Sequence, residues 1–416
     1  MLLNRIIKSL IHKGDLTVTD WNGKTQRYGD GGLPKSHVKF ESAAAALKVA
    51  LDPDLHLGEV YTDGQLTLKQ GTVRDFIELL MQNVGTGQTN HPLHRVAYRA
   101  RLALRRLYQY NPIGKAERNI THHYDINGEI YDLFLDVDRQ YSCAYYETED
   151  ATLEQAQLAK KRHIAAKLGI KPGMKVLDIG SGWGGLGLYL AEYCGADVTG
   201  VTLSHEQHAL SNSRAAERGL ANQARFLLQD YRELNQQFDR IVSVGMFEHV
   251  GVGHYGEFFK KTSSLLKPDG SALLHSINRA DGPGITGAWI QKYIFPGGYV
   301  PALSEVIPHM ERAKLYITDI EILRMHYART LNEWGKRFIA NHGRAKEIYD
   351  ERFCRMWDFY LAGSECSFLY AEMNNFQIQF GKNQHVLPYT RNYIEAEEER
   401  LRKLEQGTNA KKPAKA

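Results

Sequence analysis

The sequence predicts an α/β protein with a doubly wound, mostly parallel sheet, preceded by a smaller domain of mixed helix and strand. Three observations support this fold class. From about residue 172, apolar strands alternate with helical segments, as in repeated βα units. A glycine-rich turn follows the first of these strands. Residues 1–115 lack this alternation and start with short strands and separate helices, which indicates a domain of their own.

Composition excludes several classes of protein. The 416 residues carry 52 Lys plus Arg against 48 Asp plus Glu, and their 43% hydrophobic content is that of a globular protein, not a disordered one. No segment approaches the roughly 18 apolar residues of a membrane-spanning helix, and charge interrupts the first residues too early for a secretory leader. We therefore expect a soluble, cytoplasmic protein. Widely spaced cysteines argue against a disulfide framework or a metal site: Cys143, Cys194, Cys354 and Cys366.

The N-terminal region, 1–115, has both strand and helix patterns. LTVTDWNGKTQRYGDGG predicts a hairpin with its turn at Asn22-Gly23, and FESAAAALKVAL and TVRDFIELLMQNV predict helices. The segment HRVAYRARLALRRLYQY then places arginines among apolar residues without any acid: Arg95, Arg99, Arg101, Arg105 and Arg106. Such a helix can lie on an anionic membrane surface, or it can pack its apolar side on the domain with its arginines in solvent. Nucleic acid is not expected as a partner, because the net charge is small and no nucleic-acid motif is present.

The second region, 116–400, has the alternating pattern. MKVLDIG, ADVTGVTL, ARFLLQD, FDRIVSVGM and SALLHSIN predict five strands, and Ser204 is the expected N-cap of the helix SHEQHALSNSRAAERG. Residues 279–330 interrupt the alternation with a loop rich in glycine and proline and with helical pieces. We expect them to form a lid over the strand ends. Residues 401–416 predict a basic, disordered tail.

The turn after the first strand predicts a cofactor site. It reads Asp178-Ile179-Gly180-Ser181-Gly182-Trp183-Gly184, and glycines there let backbone approach a ligand at a helix N-terminus. It also satisfies GxGxxG, but an NAD site expects an acid after the second strand, where Val201-Thr202-Leu203-Ser204 has none. The Asp-x-Gly-x-Gly form is typical of S-adenosylmethionine-dependent methyltransferases. Asp230 and Tyr231 then suit an adenine ring, and Gln207 can supply the ribose contact.

Four other segments carry chemically unusual residues. They are HHYD (122–125), YSCAY (141–145), GMFEHVG (245–251) and LHSI (274–277). Glu248 and His275 follow neighbouring strands, so we expect them to converge at the carboxyl edge of the sheet. Structural roles remain open for His122, His123, Cys143 and Tyr327, whereas a glutamate at the position of Glu248 is a poor core residue.

Together these segments carry a resemblance to a known family. YSCAYY, VLDIGSGWGG, GVTLSHEQ, GMFEHVG, LLHSI, KYIFPGGYVP and YARTLNEW resemble the cyclopropane-fatty-acid synthase family of S-adenosylmethionine-dependent methyltransferases, which is related to the mycolic acid cyclopropane synthases. The likeness extends from about His122 to Gln379. It implies a Rossmann-like class I methyltransferase with a seven-stranded sheet, and an N-terminal domain that docks on lipid. One departure is Ser364, where some members carry Cys, and no role is assigned to Cys354 or Cys366.

The resemblance also implies an activity and its residues. Members methylate the cis double bond of a phospholipid acyl chain and close a cyclopropane ring, with bound bicarbonate as base. The anion cradle would comprise the backbone amides of Cys143 and Ile277 and the side chains of Glu248, His275 and Tyr327. No metal is expected. The residues implied for S-adenosylmethionine are Tyr141, Ser142, Asp178, Gly180, Ser181, Gly182, Trp183, Gly184, Thr202, Leu203, Gln207, Asp230, Tyr231 and Arg232.

Alternative functions remain open on sequence. Two use the same fold without ring closure: methylation of an acyl chain to a branched product, and N-methylation of a small amine. A third is a catalytically silent membrane-binding or cofactor-sensing protein. For the cyclopropane-forming reading, the expected partners are cis-unsaturated phospholipid and an anionic membrane surface, with peripheral attachment to the inner face of the membrane. The apolar surface of an N-terminal domain also makes a homodimer an expectation.

Overall fold

The fold is described from a computed structural model, which covers residues 2–85 and 127–409. The basic segment from Arg95 to Arg106 and the residues His122 and His123 lie outside these ranges, so the expectations for them stay predictions. Within the described ranges, no helix is both long and apolar enough to cross a bilayer. All four cysteines are buried and carry free thiols.

Residues 2–85 form a mixed module with a four-stranded sheet in the order β2-β1-β3-β4. The predicted hairpin is confirmed: β1 and β2 pair antiparallel, and the Asp20 N–H donates to the Lys24 carbonyl across its turn (3.0 Å). The apolar face of the sheet packs on the helices, with Leu16, Val18 and Val38 buried. The elements are α1 (Leu2–Leu10), β1 (Asp15–Thr19), β2 (Thr25–Gly29), β3 (Lys35–Phe40), α2 (Ala43–Leu51), α3 (Pro53–Thr62), β4 (Leu66–Gln70) and α4 (Val73–Val84).

Residues 127–409 contain the predicted seven-stranded, mostly parallel sheet, in the order β10-β11-β9-β8-β5-β6-β7. Of these seven strands only β11 runs antiparallel to the others, and it pairs with β10 on one side and β9 on the other. The strands are β5 (Lys175–Ile179), β6 (Asp197–Thr202), β7 (Ala224–Leu228), β8 (Phe238–Val244), β9 (Leu266–Arg279), β10 (Tyr316–Ile322) and β11 (Met373–Gly381). The helices are α5 (Glu129–Asp132), α6 (Leu153–Leu168), α7 (Gly185–Cys194), α8 (His205–Glu217), α9 (Tyr255–Leu265), α10 (Ala288–Tyr293), α11 (Leu303–Arg312), α12 (His326–Ala340), α13 (His342–Ile348), α14 (Glu351–Tyr370) and α15 (Asn392–Asn409).

Helix α6 is a buried element that the strand pattern did not predict. A capping box of Thr152 and Gln155 starts it, and Gly169 in the left-handed conformation ends it. Its buried residues include five basic side chains, so the usual apolar stripe is missing. They are Lys160, Lys161, Arg162, His163 and Lys167.

The expected lid over 279–330 is wrong in extent. Helix α11 and strand β10 lie inside that range, and β10 is an edge strand of the main sheet. Its side chains are alternately exposed, so the pattern resembled surface loop more than core strand. The irregular part is 280–302, with the short α10 inside it. A larger insertion, α12 to α14, connects β10 to β11.

The expected disordered tail also starts too early. Helix α15 continues to Asn409, nine residues into the segment 401–416. Leu401 and Glu405 on this helix are buried, and Glu405 accepts a hydrogen bond from the Tyr189 hydroxyl (2.7 Å). Packing on α6 and α7 therefore holds this part of the chain in helical form.

Candidate active site

A cavity, partly open to solvent, lies at the carboxyl ends of β5, β6, β7 and β8. This is the edge where open α/β sheets bind ligands. Thirteen of the fourteen residues predicted to bind the cofactor line it: Tyr141, Ser142, Asp178, Gly180, Ser181, Gly182, Trp183, Thr202, Leu203, Gln207, Asp230, Tyr231 and Arg232. The structure therefore brings together residues that span more than 90 positions in sequence.

The glycine turn combines a ligand-facing part with a packing part. Gly180 has a φ of +79°, and a Cβ there would lie 2.8 Å from the Met246 Cβ, so only glycine fits. Gly182 has a φ of +52° and open space beside it, which leaves room for a ligand. Gly184 does not line the cavity, so its contact with the cofactor stays a prediction, and a Cβ there would lie 2.7 Å from the Ser211 Cβ. Gly184 lets α7 pack closely against α8.

The end of the cavity beside β7 carries the residues predicted for adenosine. The Asp230 carboxylate accepts two hydrogen bonds from the Arg232 side chain (2.9 and 2.7 Å) and one from the Arg232 backbone N–H (2.9 Å). Since a carboxylate has about four acceptor sites, Asp230 retains a site for a ligand donor. The Thr202 hydroxyl donates to the Gln207 Oε1 (2.8 Å), which orients that amide at the cavity wall.

The other end of the cavity holds a buried acid and a buried base. Asp178, on β5, is 2% exposed, and its Oδ2 has no hydrogen-bond partner among the described residues. Burial raises the Asp178 pKa to about 7. Lys160, on α6, is 1% exposed and donates from Nζ to the Ser142 Oγ (2.7 Å). Sequence reasoning missed Lys160, because α6 itself was not predicted.

Glu248 lies beside this end of the cavity, in a 3-10 turn at Phe247–His249. Its Oε1 accepts the Ile277 N–H (2.7 Å), and its buried Oε2 has no hydrogen-bond partner among the described residues. Burial raises the Glu248 pKa to about 7. The Ile277 amide, predicted to hold an anion, thus donates to Glu248 in this structure.

His275 is held between two side-chain amides of β11. Its Nε2 lies 3.3 Å from the Asn375 Nδ2, and its Nδ1 lies 3.2 Å from the Gln377 Nε2. Burial, with nearby Lys160, lowers the His275 pKa to about 3, so the ring is neutral and has one N–H. One of the two amides must therefore turn its oxygen to that N–H. His275 acts through a neutral ring if it takes part in the reaction.

Cys143 and Tyr327 lie in one aromatic cluster, against which Ile277 also packs. Burial raises the pKa of the Cys143 thiol, which argues against its being a nucleophile. The Tyr327 ring centroid lies 4.9 Å from that of Phe368 and 5.9 Å from that of Trp334. The five residues predicted for the cradle thus lie close to the cavity without lining it: Ser142 lines it next to Cys143, and His249 lines it next to Glu248.

Further lining residues were not singled out from the sequence. His249 has its pKa lowered to about 4 by burial, so it is neutral at the cavity wall. Arg139 has a φ of 53° and places its guanidinium 5.0 Å from the Trp183 ring centroid. A left-handed arginine gives no sequence signal, whereas His249 lies next to Glu248 in a motif that was already noted.

Comparison with known families decides the affiliation. A family model described as mycolic acid cyclopropane synthetase matches residues 113–378, which is more than half of the chain. The chain belongs to this family. A second model, described as a domain of unknown function, matches residues 2–92. The predicted resemblance is therefore confirmed.

Relatives in this family match over most of their length. The cyclopropane-fatty-acyl-phospholipid synthase of Escherichia coli (strain K12) is 38% identical over 352 residues, which are 84% of this chain and 89% of that protein. A probable fatty acid methyltransferase of Pseudomonas putida is 35% identical, over 80% of this chain and 85% of its own. The cyclopropane synthase MmaA2 from Mycobacterium tuberculosis has a solved structure with a TM-score of 0.61 at 33% identity, covering 65% of this chain and 98% of its own.

The residues of the cavity fit the cosubstrate of such a family. This chain is an S-adenosylmethionine-dependent methyltransferase. A solved relative, mycolic acid cyclopropane synthase CmaA1, is complexed with S-adenosylhomocysteine (SAH) and CTAB. Its TM-score is 0.61 at 32% identity, and the match covers 65% of this chain and 99% of that chain. Three buried polar atoms along the cavity have no hydrogen-bond partner among the described residues: the Asp178 Oδ2, the Ser181 Oγ and the Trp183 Nε1. Buried polar atoms usually have partners, so these suit a polar ligand.

Proposed function

We propose that this protein transfers a methyl group from S-adenosylmethionine to the cis double bond of an unsaturated acyl chain in membrane phospholipid, and that a cyclopropane ring is then closed with bicarbonate as base. The single observation that carries the ring-closing step is Glu248, a buried carboxyl group anchored by the Ile277 N–H beside the cavity. The name of the Escherichia coli relative, at 38% identity, supports the substrate.

The residues divide the work between binding and proton handling. S-adenosylmethionine supplies an electrophilic methyl group, and bicarbonate supplies a base. Asp230 and Gln207 hold the adenosine portion, and the Gly180 to Gly182 turn lets backbone approach it. Glu248 has one anchored oxygen and one for the hydroxyl group of the anion, which favours the singly protonated form of that anion. The hydroxyl group of Tyr327 is the proposed donor. The single N–H of the neutral His275 ring is taken by a β11 amide, so we propose that His275 shapes the site without donating to the anion.

The surroundings suit an apolar chain. An aromatic cluster built from α10, α12, α14 and the segment before α6 lies next to the cavity: Phe134, Trp289, Tyr327, Trp334, Trp357, Tyr360 and Phe368. The Tyr141 hydroxyl, at the cavity wall, lies 2.7 Å from the Tyr360 hydroxyl in this cluster. Apolar side chains there would replace water around a double bond drawn out of a bilayer.

We also propose that the N-terminal module docks on the inner face of the membrane. Apolar side chains on α1 and α2 are exposed, with Leu2 at 43%, Leu47 at 53% and Leu51 at 58%. Arg5, Lys8 and Lys48 are exposed on the same two helices, a combination that suits an anionic lipid surface. The basic segment from Arg95 to Arg106 would add to this charge, and a homodimer stays a prediction.

Docking is tested by co-sedimentation with vesicles of anionic phospholipid. The triple variant Arg99→Glu, Arg105→Glu, Arg106→Glu should lose most of its bound fraction at low salt, because basic residues near the leaflet are each worth about 1 kcal/mol. A matched control carries the same charge change on exposed residues of α12 and α13: Lys336→Glu, Arg344→Glu, Lys346→Glu. Equal binding by both triple variants would refute the basic segment as a docking element.

The reaction is tested with purified protein, S-adenosylmethionine and vesicles of cis-unsaturated phospholipid, with and without bicarbonate. We expect acyl chains heavier by one CH2, with high-field cyclopropane protons in NMR, and a rate that depends on bicarbonate. Glu248→Gln should keep SAH affinity within about threefold but lose roughly 100-fold or more in turnover. A branched methyl product would replace this proposal by the acyl methyltransferase alternative, which the 35% identity to the Pseudomonas putida protein favours.

A further inference from the structure

We infer that Lys160 is the cationic group that binds the carboxylate of the methionine portion of the cosubstrate. The inference rests on the proposed assignment of the cavity to S-adenosylmethionine. Lys160 lines that cavity from helix α6, and its Nζ is 2.7 Å from the Ser142 Oγ, which also lines it.

Lys160 differs from the other buried basic residues of its helix. Lys161 pairs with Asp138, Arg162 with Glu147 and Glu405, and both His163 and Lys167 pair with Glu321. Within residues 2–85 and 127–409, Lys160 makes no such ion pair, although it is only 1% exposed. Asp136 and Asp138 stabilise its charge only from beyond ion-pair distance. A buried ammonium group without a direct ion pair is costly, so its position at the wall of a cavity suits an anionic ligand.

The order of the strands places Lys160 at the end of the cavity opposite the residues assigned to adenine. Asp230, assigned to adenine, follows β7 at the edge of the sheet, and Asp178 lies on β5, two strands away, or about 10 Å. Lys160 lies towards β9, since it acts electrostatically on His275 of that strand. The methionine portion of the cosubstrate carries a carboxylate and an ammonium group. Lys160 and the unpartnered Asp178 Oδ2 complement these two charges.

A bound bicarbonate is the competing anion, because Lys160 also acts electrostatically on Cys143 and His275. Neither of those two residues lines the cavity, whereas Ser142 does. Burial lowers the Lys160 pKa to about 7, and a carboxylate beside Nζ would favour its charged form. The geometry therefore favours the cosubstrate carboxylate, and the two anions can be separated by experiment.

The test compares two ligands by calorimetry. SAH has the amino-acid portion, and 5′-methylthioadenosine has the same adenosine and thioether without it. Lys160→Met should weaken SAH binding about 10- to 100-fold and leave 5′-methylthioadenosine affinity within about twofold. Lys161→Met is the matched control, since it makes the same change one residue away on a side chain paired with Asp138, and both affinities should stay within about twofold.

Ser142→Ala provides a second variant in case Lys160→Met fails to fold. It removes the oxygen that accepts from Lys160 and should weaken SAH binding about three- to tenfold, with no loss for 5′-methylthioadenosine. An equal loss for both ligands would overturn the inference, as would unchanged SAH affinity with a raised requirement for bicarbonate. A wild-type protein that binds neither ligand would overturn the cavity assignment itself.

Discussion

Two carboxyl groups at this site are buried away from water. One oxygen of each has no hydrogen-bond partner among the described residues. Asp178 and Glu248 both have pKa values raised to about 7, in each case chiefly by burial. Structural carboxylates are usually paired, as Glu321 is with His163 and Lys167. Unpaired, buried carboxyl groups beside a cavity are a common property of functional sites, since they cost stability unless a ligand uses them.

Glu248→Gln should stabilise the fold at neutral pH. The Glu248 pKa is higher in the folded state, about 7, than the ordinary value of 4.5, so unfolding releases a proton between these values. The wild type therefore loses stability as pH rises from about 4.5 to 7, by about 1.4 kcal/mol per pH unit and about 3 kcal/mol in all. Denaturant unfolding at pH 4.5 to 8 should show the advantage of Glu248→Gln growing over this range and then levelling off.

Glu321→Gln is the matched control for this measurement. His163 and Lys167 lower the Glu321 pKa despite its burial, so this carboxylate stabilises the fold above about pH 4.5 and loses that contribution as pH falls. The variant should be destabilised at pH 7 and approach the wild type in acid. Parallel pH profiles for the two variants would contradict the assignment of opposite environments.

At the scale of elements, helix α3 of the module holds helix α10 in place beside the aromatic cluster. The Asp54 Oδ2 accepts the Ala288 N–H (2.9 Å), and Glu59 accepts from both the Lys292 Nζ (2.7 Å) and the Tyr293 hydroxyl (2.8 Å). Between these bonds, Gly58 faces the indole ring of Trp289, a residue of the aromatic cluster. The close approach of the two helices depends on the missing side chain of Gly58.

Gly58→Ala should weaken this contact. The added Cβ would lie 2.5 to 2.7 Å from atoms of the Trp289 ring, a rigid neighbour, so we expect a loss of about 1 to 3 kcal/mol. Hydrogen exchange should accelerate in 288–293. Gly363→Ala on α14, where a Cβ meets nothing within 4 Å, should instead gain up to about 1 kcal/mol from reduced chain entropy. Similar changes in both variants would refute the close contact.

At the scale of the whole molecule, helix α14 belongs to both parts of the chain. Its residues Ala362 and Cys366 are buried in the hydrophobic cluster of the module. On the same helix, the Glu365 Oε1 accepts from the Arg74 Nε (2.9 Å), and Tyr360 contacts Tyr141 at the cavity. The module and the catalytic domain therefore share a core, and a shared core couples their unfolding.

Calorimetry of the full chain should show a single unfolding transition. Ala362→Arg, which places a long charged side chain in the shared cluster, should separate the module from the catalytic domain and produce two transitions. Gly363→Arg places the same side chain one residue further along the helix, where a Cβ meets open space. This variant should keep a single transition. Two transitions already in the wild type would contradict the shared core.

Much of this architecture follows from the sequence, for physical reasons. Parallel strands such as β5 and β8 are rich in Val, Ile and Leu and are buried over most of their length, and Gly180 marks a turn that other residues cannot make. Helix α6 was missed because its buried basic residues are neutralised by partners far away in sequence, such as Glu321 and Glu405. Lys160 was missed with it. Contacts of that range leave no local pattern.

Helix α14 also has a consequence for the history of the family. The match with the solved cyclopropane synthase MmaA2 includes 65% of this chain and 98% of the MmaA2 chain. Almost no residues of MmaA2 are therefore left over for a counterpart of the module. The positions of Ala362 and Cys366 lie inside the family region, residues 113–378. In a chain without the module, these positions would face water and would be free to become polar. Two residues of the catalytic part should thus differ in polarity between relatives with the module and relatives without it.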